Sequence, residues 1–225
     1  MSITPTTLTR GAAVAAILAG LAYVAIQFIH PPDVIESLST QAWVNVHILS
    51  FAEAVLALIG VTGLYLFQVR KVGILALIGY LMFGFFFILQ ASFNFAEAFI
   101  APLIAIGAPQ LAVDFVGLFG RYPAETDLGA LAAVPLVGLI LYAGGAILFG
   151  IATIRARILS RGAAILLLAA AAVTPLAALL PHTLERMAAV PMGLALVWLG
   201  CSLWMNTRTN TARLTPTDSD QVAAN

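Results

Sequence analysis

The chain has 225 residues, of which 62% are hydrophobic and only 9% are charged. A soluble domain carries about 25% charged residues because its surface must stay hydrated, so this composition excludes a water-soluble globule. The formal net charge is zero, which argues against nucleic acid as a partner. The single cysteine excludes an intrachain disulfide. The composition therefore indicates an integral membrane protein whose first partner is the lipid bilayer.

Six apolar segments are long enough to span a bilayer, since a helix needs about 20 residues to cross it. The first is followed by His30-Pro31-Pro32 rather than by a small-residue cleavage site, so we expect it to be retained as a span. The sequence predicts an all-α, polytopic membrane bundle over residues 1–205, with a disordered cytoplasmic tail at 206–225. The predicted spans are 12–29, 43–69, 72–101, 128–154, 162–180 and 185–205.

The basic residues predict the orientation of these spans. If the N-terminus is cytoplasmic, eight of the ten basic residues lie on the inner side, and only Arg121 and Arg186 lie outside. Short inner loops are enriched in Lys and Arg, so both termini are predicted to be cytoplasmic. The eight inner residues are Arg10, Arg70, Lys71, Arg155, Arg157, Arg161, Arg208 and Arg213.

The connector over residues 107–127 is the only long one. Four apolar residues recur in it at helical spacing, with Gln110 and Asp114 between them. This pattern favours either a short amphipathic helix on the outer interface or a packed loop over the helix ends. The apolar residues are Leu111, Phe115, Leu118 and Phe119.

Small residues recur every four positions in the first span, where they permit close helix approach. They predict contacts inside the bundle, and a homo-oligomer interface is the alternative. The two series are Gly11, Ala15 and Ala19, and Ala12, Ala16 and Gly20.

Two acidic residues fall inside predicted spans. Glu53 lies roughly 15 Å below the outer surface at the helical rise, which is close to the midplane. Glu97 lies near the outer boundary. An acid at the bilayer centre costs roughly 2.5–3.5 kcal/mol on insertion scales, so such residues usually face the bundle or a wet cavity.

Other polar residues share helix faces with these acids. The candidate ligand or proton site consists of Glu53, Glu97, Asn94, Gln90, Tyr23 and Gln27. Three interpretations remain open: hydrogen bonds that only hold the bundle together, an outward-facing polar pocket that binds or passes a small solute or proton, and a metal or haem site. The metal site would use His30, His47 and His182, whose spacing matches no helical metal motif.

Four stretches of the chain also carry a family resemblance. They are Trp43-Val44-Asn45-Val46-His47, Gly60-Val61-Thr62-Gly63-Leu64-Tyr65, Ile88-Leu89-Gln90-Ala91 and Phe95-Ala96-Glu97-Ala98-Phe99. They resemble a group of uncharacterised bacterial multi-pass membrane proteins with no established activity, mainly over residues 12–105. The resemblance implies a bacterial inner membrane and a six-span layout, and it implies no catalytic residue.

The sequence therefore predicts an outward-facing polar pocket for a small solute or proton. The alternatives are a metal-dependent intramembrane enzyme acting on lipid and a structural or interaction protein. The chain has no P-loop, dinucleotide-binding motif or serine-hydrolase motif, so the sequence favours a non-enzyme and implies no particular cofactor.

Overall fold

The computed structural model describes residues 3–119, 124–177 and 186–214, with only the backbone for residues 177 and 209–214. Within these residues all regular secondary structure is helical, which confirms the all-α prediction. The elements are α1 (Pro5–Ile29), α2 (Ile35–Leu38), a 59-residue run Gln41–Phe99, α5 (Ala101–Gly107), α6 (Pro109–Val116), α7 (Gly129–Ala156), α8 (Arg161–Ala177) and α9 (Val190–Leu214).

The long run is two helices that meet at Gly73, and we call residues 41–72 α3 and residues 74–99 α4. Gly73 has φ 62° and ψ −166°, a backbone conformation that glycine adopts without a steric penalty. The two helices pack antiparallel, since Trp43 lies against Glu97 near their far ends and Thr62 against Tyr80 closer to the turn. The sequence predicted two separate spans here, and the structure forms them as a helical hairpin.

Four helices of the described residues are long and apolar enough to cross a membrane: Pro5–Ile29, Gln41–Phe99, Gly129–Ala156 and Val190–Arg208. The helix α8 is apolar but shorter. Large apolar side chains such as Leu66, Ile74 and Phe85 are exposed, as expected where the surrounding solvent is lipid. The fold is therefore that of a membrane-embedded helical bundle.

Several helix bounds differ from the predicted spans. The helix α1 begins at Pro5, where Thr4 caps it by accepting a hydrogen bond from the amide of Thr7. The helix α9 begins at Val190 and continues to Leu214, into the segment predicted as a tail. Residues 178–185 and 215–225 lie outside the described residues.

Helix packing follows the order of the chain. The helix α1 packs on the α3–α4 hairpin, the hairpin on α7, α7 on α8, α8 on α9, and α9 returns to α1. The predicted small-residue series in α1 makes these contacts: Ala12 and Ala16 meet Gly63 and Gly60 of α3. Gly20 meets Gly193 of α9 so closely that a methyl group at either position would collide with the opposite backbone. Ala12, Ala16 and Gly20 therefore pack inside the bundle as predicted, whereas Gly11 has open space where a Cβ would lie.

The connector after α4 forms helices α5 and α6, but its polar residue Asp114 points inward. Asp114 is buried and accepts hydrogen bonds from Gln110 (2.9 Å) and from the backbone amide of Thr126 (2.7 Å). Hydrogen bonds from Thr126, opposed by partial desolvation, hold the pKa of the Asp114 carboxyl below its ordinary value. The segment thus contains a short helix, as the first alternative predicted, whereas its residue Asp114 is buried against the loop at Thr126.

Two ends of the bundle differ in their side chains. The polar end contains the last turn of α1, the start of α3 and the end of α4, with His30, His47 and Glu97. The basic end contains the Gly73 turn and the last turns of α7 and α9, with the arginines near Trp204. Arg10 and Arg208 each lie within 6 Å of the Trp204 ring centre, at 5.7 and 5.4 Å.

Candidate proton and ligand site

Five polar side chains from five helices meet inside the bundle, and we call this cluster the interior site. It consists of Tyr23 of α1, Glu53 of α3, Gln90 of α4, Tyr142 of α7 and Thr174 of α8. Glu53 is twelve residues from the start of α3, about 18 Å along the helix axis. The interior site therefore lies deep between the two ends of the bundle.

Glu53 is the only acid of the interior site, and its side chain is completely buried. Its Oε2 accepts a hydrogen bond of 2.8 Å from Nε2 of Gln90. Among the described residues its Oε1 has no hydrogen-bond partner, and neither does Oε1 of Gln90. A buried acceptor without a donor has a high desolvation cost, which a proton or a bound group at these two oxygens would offset.

Tyr142 and Thr174 form a hydrogen-bond chain with a fixed direction. The hydroxyl of Thr174 donates to the carbonyl of Ala170 at 2.9 Å, which uses its only proton. While Thr174 keeps that bond, its 3.1 Å bond with Tyr142 runs from the phenol of Tyr142 to the oxygen of Thr174. The phenol of Tyr23 faces that of Tyr142 and lies close enough to Glu53 for the two to interact electrostatically.

A second buried pair lies nearer the polar end, and we call it the terminal pair. His47 is 1% exposed, and its Nδ1 lies 2.8 Å from the carbonyl of Trp43, so this nitrogen carries a hydrogen. Its Nε2 lies 3.3 Å from Oε2 of Glu97. Two acceptors at this distance repel each other, so a proton on either atom is stabilised by the other.

Trp43 fixes the geometry of the terminal pair. It is completely buried, and its indole Nε1 donates to the backbone carbonyl of Glu97 at 2.8 Å. Its ring also packs on that of His47, with centroids 4.1 Å apart. The start of α3 is thereby held against the end of α4.

His30, Asp33 and Arg186 surround the terminal pair at the polar end. The rings of His30 and His47 contact edge to face, with centroids 5.0 Å apart. Asp33 lies 3.3 Å from the guanidinium of Arg186 and 3.9 Å from the His30 ring. A charged network therefore joins the end of α1 to the residues just before α9.

The residues predicted from sequence divide into two groups in the structure. Glu53, Gln90 and Tyr23 meet in the interior site, whereas Glu97 meets His47 in the terminal pair. Asn94 and Gln27 instead donate to the backbone of their own helices, to Gln90 and Tyr23 respectively. The shared helix face alone did not distinguish these two behaviours.

The three histidines of the metal hypothesis are only partly described. His30 and His47 are in contact, but each uses Nδ1 in a contact with a backbone carbonyl. His182 lies outside the described residues. Within residues that the structure describes, no three His, Cys, Asp or Glu side chains are grouped so as to hold a metal ion.

Sequence reasoning missed Tyr142 and Thr174. Tyr142 lies in the π-helical segment Ile140–Gly144, and such segments are frequent at functional sites. No residue pattern in the sequence predicts a π-helix. Thr174 precedes Pro175, and this pair was a usable signal, because a proline inside a helix leaves backbone groups that polar neighbours satisfy.

Two apolar grooves lie along the sides of the bundle. One, of about 390 Å³, runs between α3 and α4 past Ala54, Phe87 and Ala91. The other, of about 280 Å³, runs between α1 and α3 past Ala12 and Gly63. Neither groove is lined by a residue of the interior site, and the Glu53 side chain is completely buried.

Comparison with protein-family models, with curated proteins and with solved structures finds no match to this chain. Its function must therefore be argued from the geometry of the interior site and the terminal pair.

Proposed function

We propose that the chain is a six-span protein of a bacterial cytoplasmic membrane whose interior site binds or passes a proton or small solute from the outer side. Both termini would be cytoplasmic, with the polar end facing outward. The proposal concerns binding or transfer and includes no chemical reaction. It rests above all on Glu53, a completely buried carboxyl with one oxygen that has no described partner.

The described helices support the six-span layout. In this layout the α3–α4 hairpin would form two spans, and α1, α7, the shorter α8 and α9 would form four more. The basic end holds Arg10, Arg155, Arg157 and Arg208, so the positive-inside rule orients it toward the cytoplasm. A reporter fused after residue 225 should be active only inside the cell, and activity only outside would contradict this orientation.

The proton is the solute that suits Glu53 best. An ionised carboxyl in hydrocarbon is costly, and the described side chains give this one a single N–H donor. Protonation removes the charge and supplies the hydrogen that one oxygen lacks. Glu53 is completely buried and lies outside both grooves, so a larger solute would require the helices to separate.

The terminal pair is suited to deliver that proton. Near the polar end, beside His30, a proton on either His47 or Glu97 is stabilised by the other. His47 and Glu53 are six residues apart on α3, about 9 Å along its axis, which exceeds a direct hydrogen bond. Transfer between the two sites therefore requires bridging water, which we expect beside Ser50 of the same helix.

Reconstituted vesicles test the proposal. After an external acid pulse, an enclosed pH-sensitive dye should report faster acidification in vesicles with wild-type protein than in vesicles with Glu53→Gln. Infrared difference spectra should show a protonated-carboxyl band that appears at low pH and is absent from the same variant. Glu36→Gln is the matched control, because Glu36 is exposed on α2 and its loss should change neither readout.

The purely structural interpretation makes the opposite prediction. Hydrogen bonds such as Thr62 with Tyr80 show that polar side chains do join helices in this bundle. If Glu53→Gln raises thermal stability and leaves both proton readouts unchanged, Glu53 has only a packing role. Metal analysis of the purified protein tests the remaining alternative, and stoichiometric zinc or iron would favour the metal-dependent enzyme.

A further inference from the structure

Most hydrogen-bond donors of the interior site already have an acceptor. Thr174 commits its proton to Ala170, and Tyr142 commits its proton to Thr174. A hydrogen bond between the two phenols can therefore run only from Tyr23 to Tyr142, which leaves the oxygen of Tyr23 as an acceptor. Oε1 of Glu53 and Oε1 of Gln90 have no hydrogen-bond partner among the described residues. Together with the Tyr23 oxygen, the cluster then offers three acceptor oxygens.

We infer that the interior site binds a small monovalent cation, sodium, in competition with the proton. This inference rests on the proposed function, because it assigns a second ligand to the same carboxyl. A single proton satisfies one acceptor and leaves the others, whereas a cation is coordinated by several oxygens at once. Carboxylate, amide and phenol oxygens are the ligand type that hard cations such as sodium take in membrane proteins.

Charge balance limits the cation to one positive charge. Glu53 interacts with Gln90 and Tyr23, and Tyr142 and Thr174 complete the cluster, so the cluster holds one carboxylic acid. The helix α9 adds apolar residues to the core, Met192 and Leu196 among them, and its buried polar residues Ser202 and Thr207 are neutral. A monovalent cation neutralises the single carboxylate, whereas a divalent cation would leave a net charge in the membrane interior.

Close packing limits the size of the cation. Tyr142 is 4% exposed and packs on Phe83 and Phe86, with ring centroids 6.2 and 5.0 Å away. Both described grooves bypass the cluster. A small cation held directly by protein oxygens fits this setting, whereas an organic ammonium ion would need a cavity of its own.

Thermal unfolding in sodium, potassium and choline chloride at equal ionic strength tests the inference. At alkaline pH sodium should raise the unfolding midpoint of the wild-type protein, and choline should not. Sodium added to weakly buffered protein should also release close to one proton per chain. Glu53→Gln should lose both effects, and Glu36→Gln should keep them.

Two tyrosine variants keep the test informative if Glu53→Gln does not fold. Tyr23→Phe removes one ligand oxygen. Tyr142→Phe removes the acceptor of the Tyr23 proton and frees that proton to point at the cation. Tyr142 would thus be a positioning residue, and both changes should weaken sodium binding by roughly tenfold or more while proton uptake persists.

The outcomes separate this inference from the proposed function. Proton uptake through Glu53 with no response to sodium would overturn the sodium site and leave the proton site standing. Equal responses to sodium, potassium and choline would also overturn it, because they indicate a general salt effect. If the wild-type protein shows neither the proton response nor the sodium response, both proposals are refuted.

Discussion

Two glutamines, Gln68 at the basic end and Gln90 in the interior site, show how similar hydrogen bonds lead to different chemistry. At the basic end Gln68 donates to the hydroxyl of Thr153 at 2.9 Å, and both side chains are almost completely buried. In the interior site Gln90 donates to Glu53 at 2.8 Å. The first pair is neutral at any pH, whereas the second contains an acid. Only the second can therefore exchange a proton.

Replacing each glutamine with leucine should separate stability from function. Gln90→Leu and Gln68→Leu each remove a buried hydrogen bond, so each should lower the free energy of unfolding by about 1–3 kcal/mol. Only Gln90→Leu should also change the pH dependence of the carboxyl infrared band. The comparison between the two pairs would break if Gln68→Leu altered that band to the same extent.

Trp43 at the polar end and Trp204 at the basic end provide a test of the same contrast with a smaller expected effect. Trp43→Phe removes the donor to the Glu97 carbonyl at the polar end and should lower the free energy of unfolding by about 1–2 kcal/mol. Trp204→Phe weakens two cation–π contacts at the basic end and should cost about 0.5–1 kcal/mol.

The readout for the tryptophan pair is denaturant unfolding in detergent, combined with vesicle acidification. Trp43→Phe should also slow acidification, because the indole positions the terminal pair. A larger functional loss in Trp204→Phe would indicate that the basic end, and not the polar end, is the functional end of the molecule.

Replacing Asp114 should have the smallest effect on stability, and that effect should depend on pH. The pKa of Asp114 is lowered in the folded protein, so its contribution to stability is present above its unfolded pKa and is lost as the pH falls through the folded pKa. Asp114→Asn should therefore lower the unfolding midpoint slightly at neutral pH. The wild-type and variant midpoints should converge in acid, below about pH 4. A constant difference at all pH values would indicate lost packing instead.

The sequence identified most acids and partners of the two polar sites because each is expensive in a membrane helix. Glu53 and Glu97 were recognisable from depth alone, and Gln90 from its shared face with Glu97. The pairing was not predictable: Gln90 meets Glu53 rather than Glu97. That choice depends on the register of the α3–α4 hairpin, which the Gly73 turn sets and no local pattern records.

Other features escaped prediction for different physical reasons. Tyr142 reaches the interior site from a π-helical segment, which depends on packing against Phe83 and Phe86 rather than on local propensity. The inward orientation of Asp114 depends on Thr126, twelve residues later, which turns back to donate to it. The bundle contacts of Ala12 and Ala16 were predictable, since small residues at this spacing fit only a close helix approach.

The α3–α4 hairpin also bears on how the chain enters the membrane during synthesis. The hydrogen bond of Glu53 to Gln90 and the contact of Glu97 with His47 both lie within residues 41–99. Each acid therefore meets its partner as soon as the hairpin closes at Gly73, before the helices from residue 129 onward have been made. The segment can thus enter the membrane during synthesis with both carboxyl groups already beside their partners.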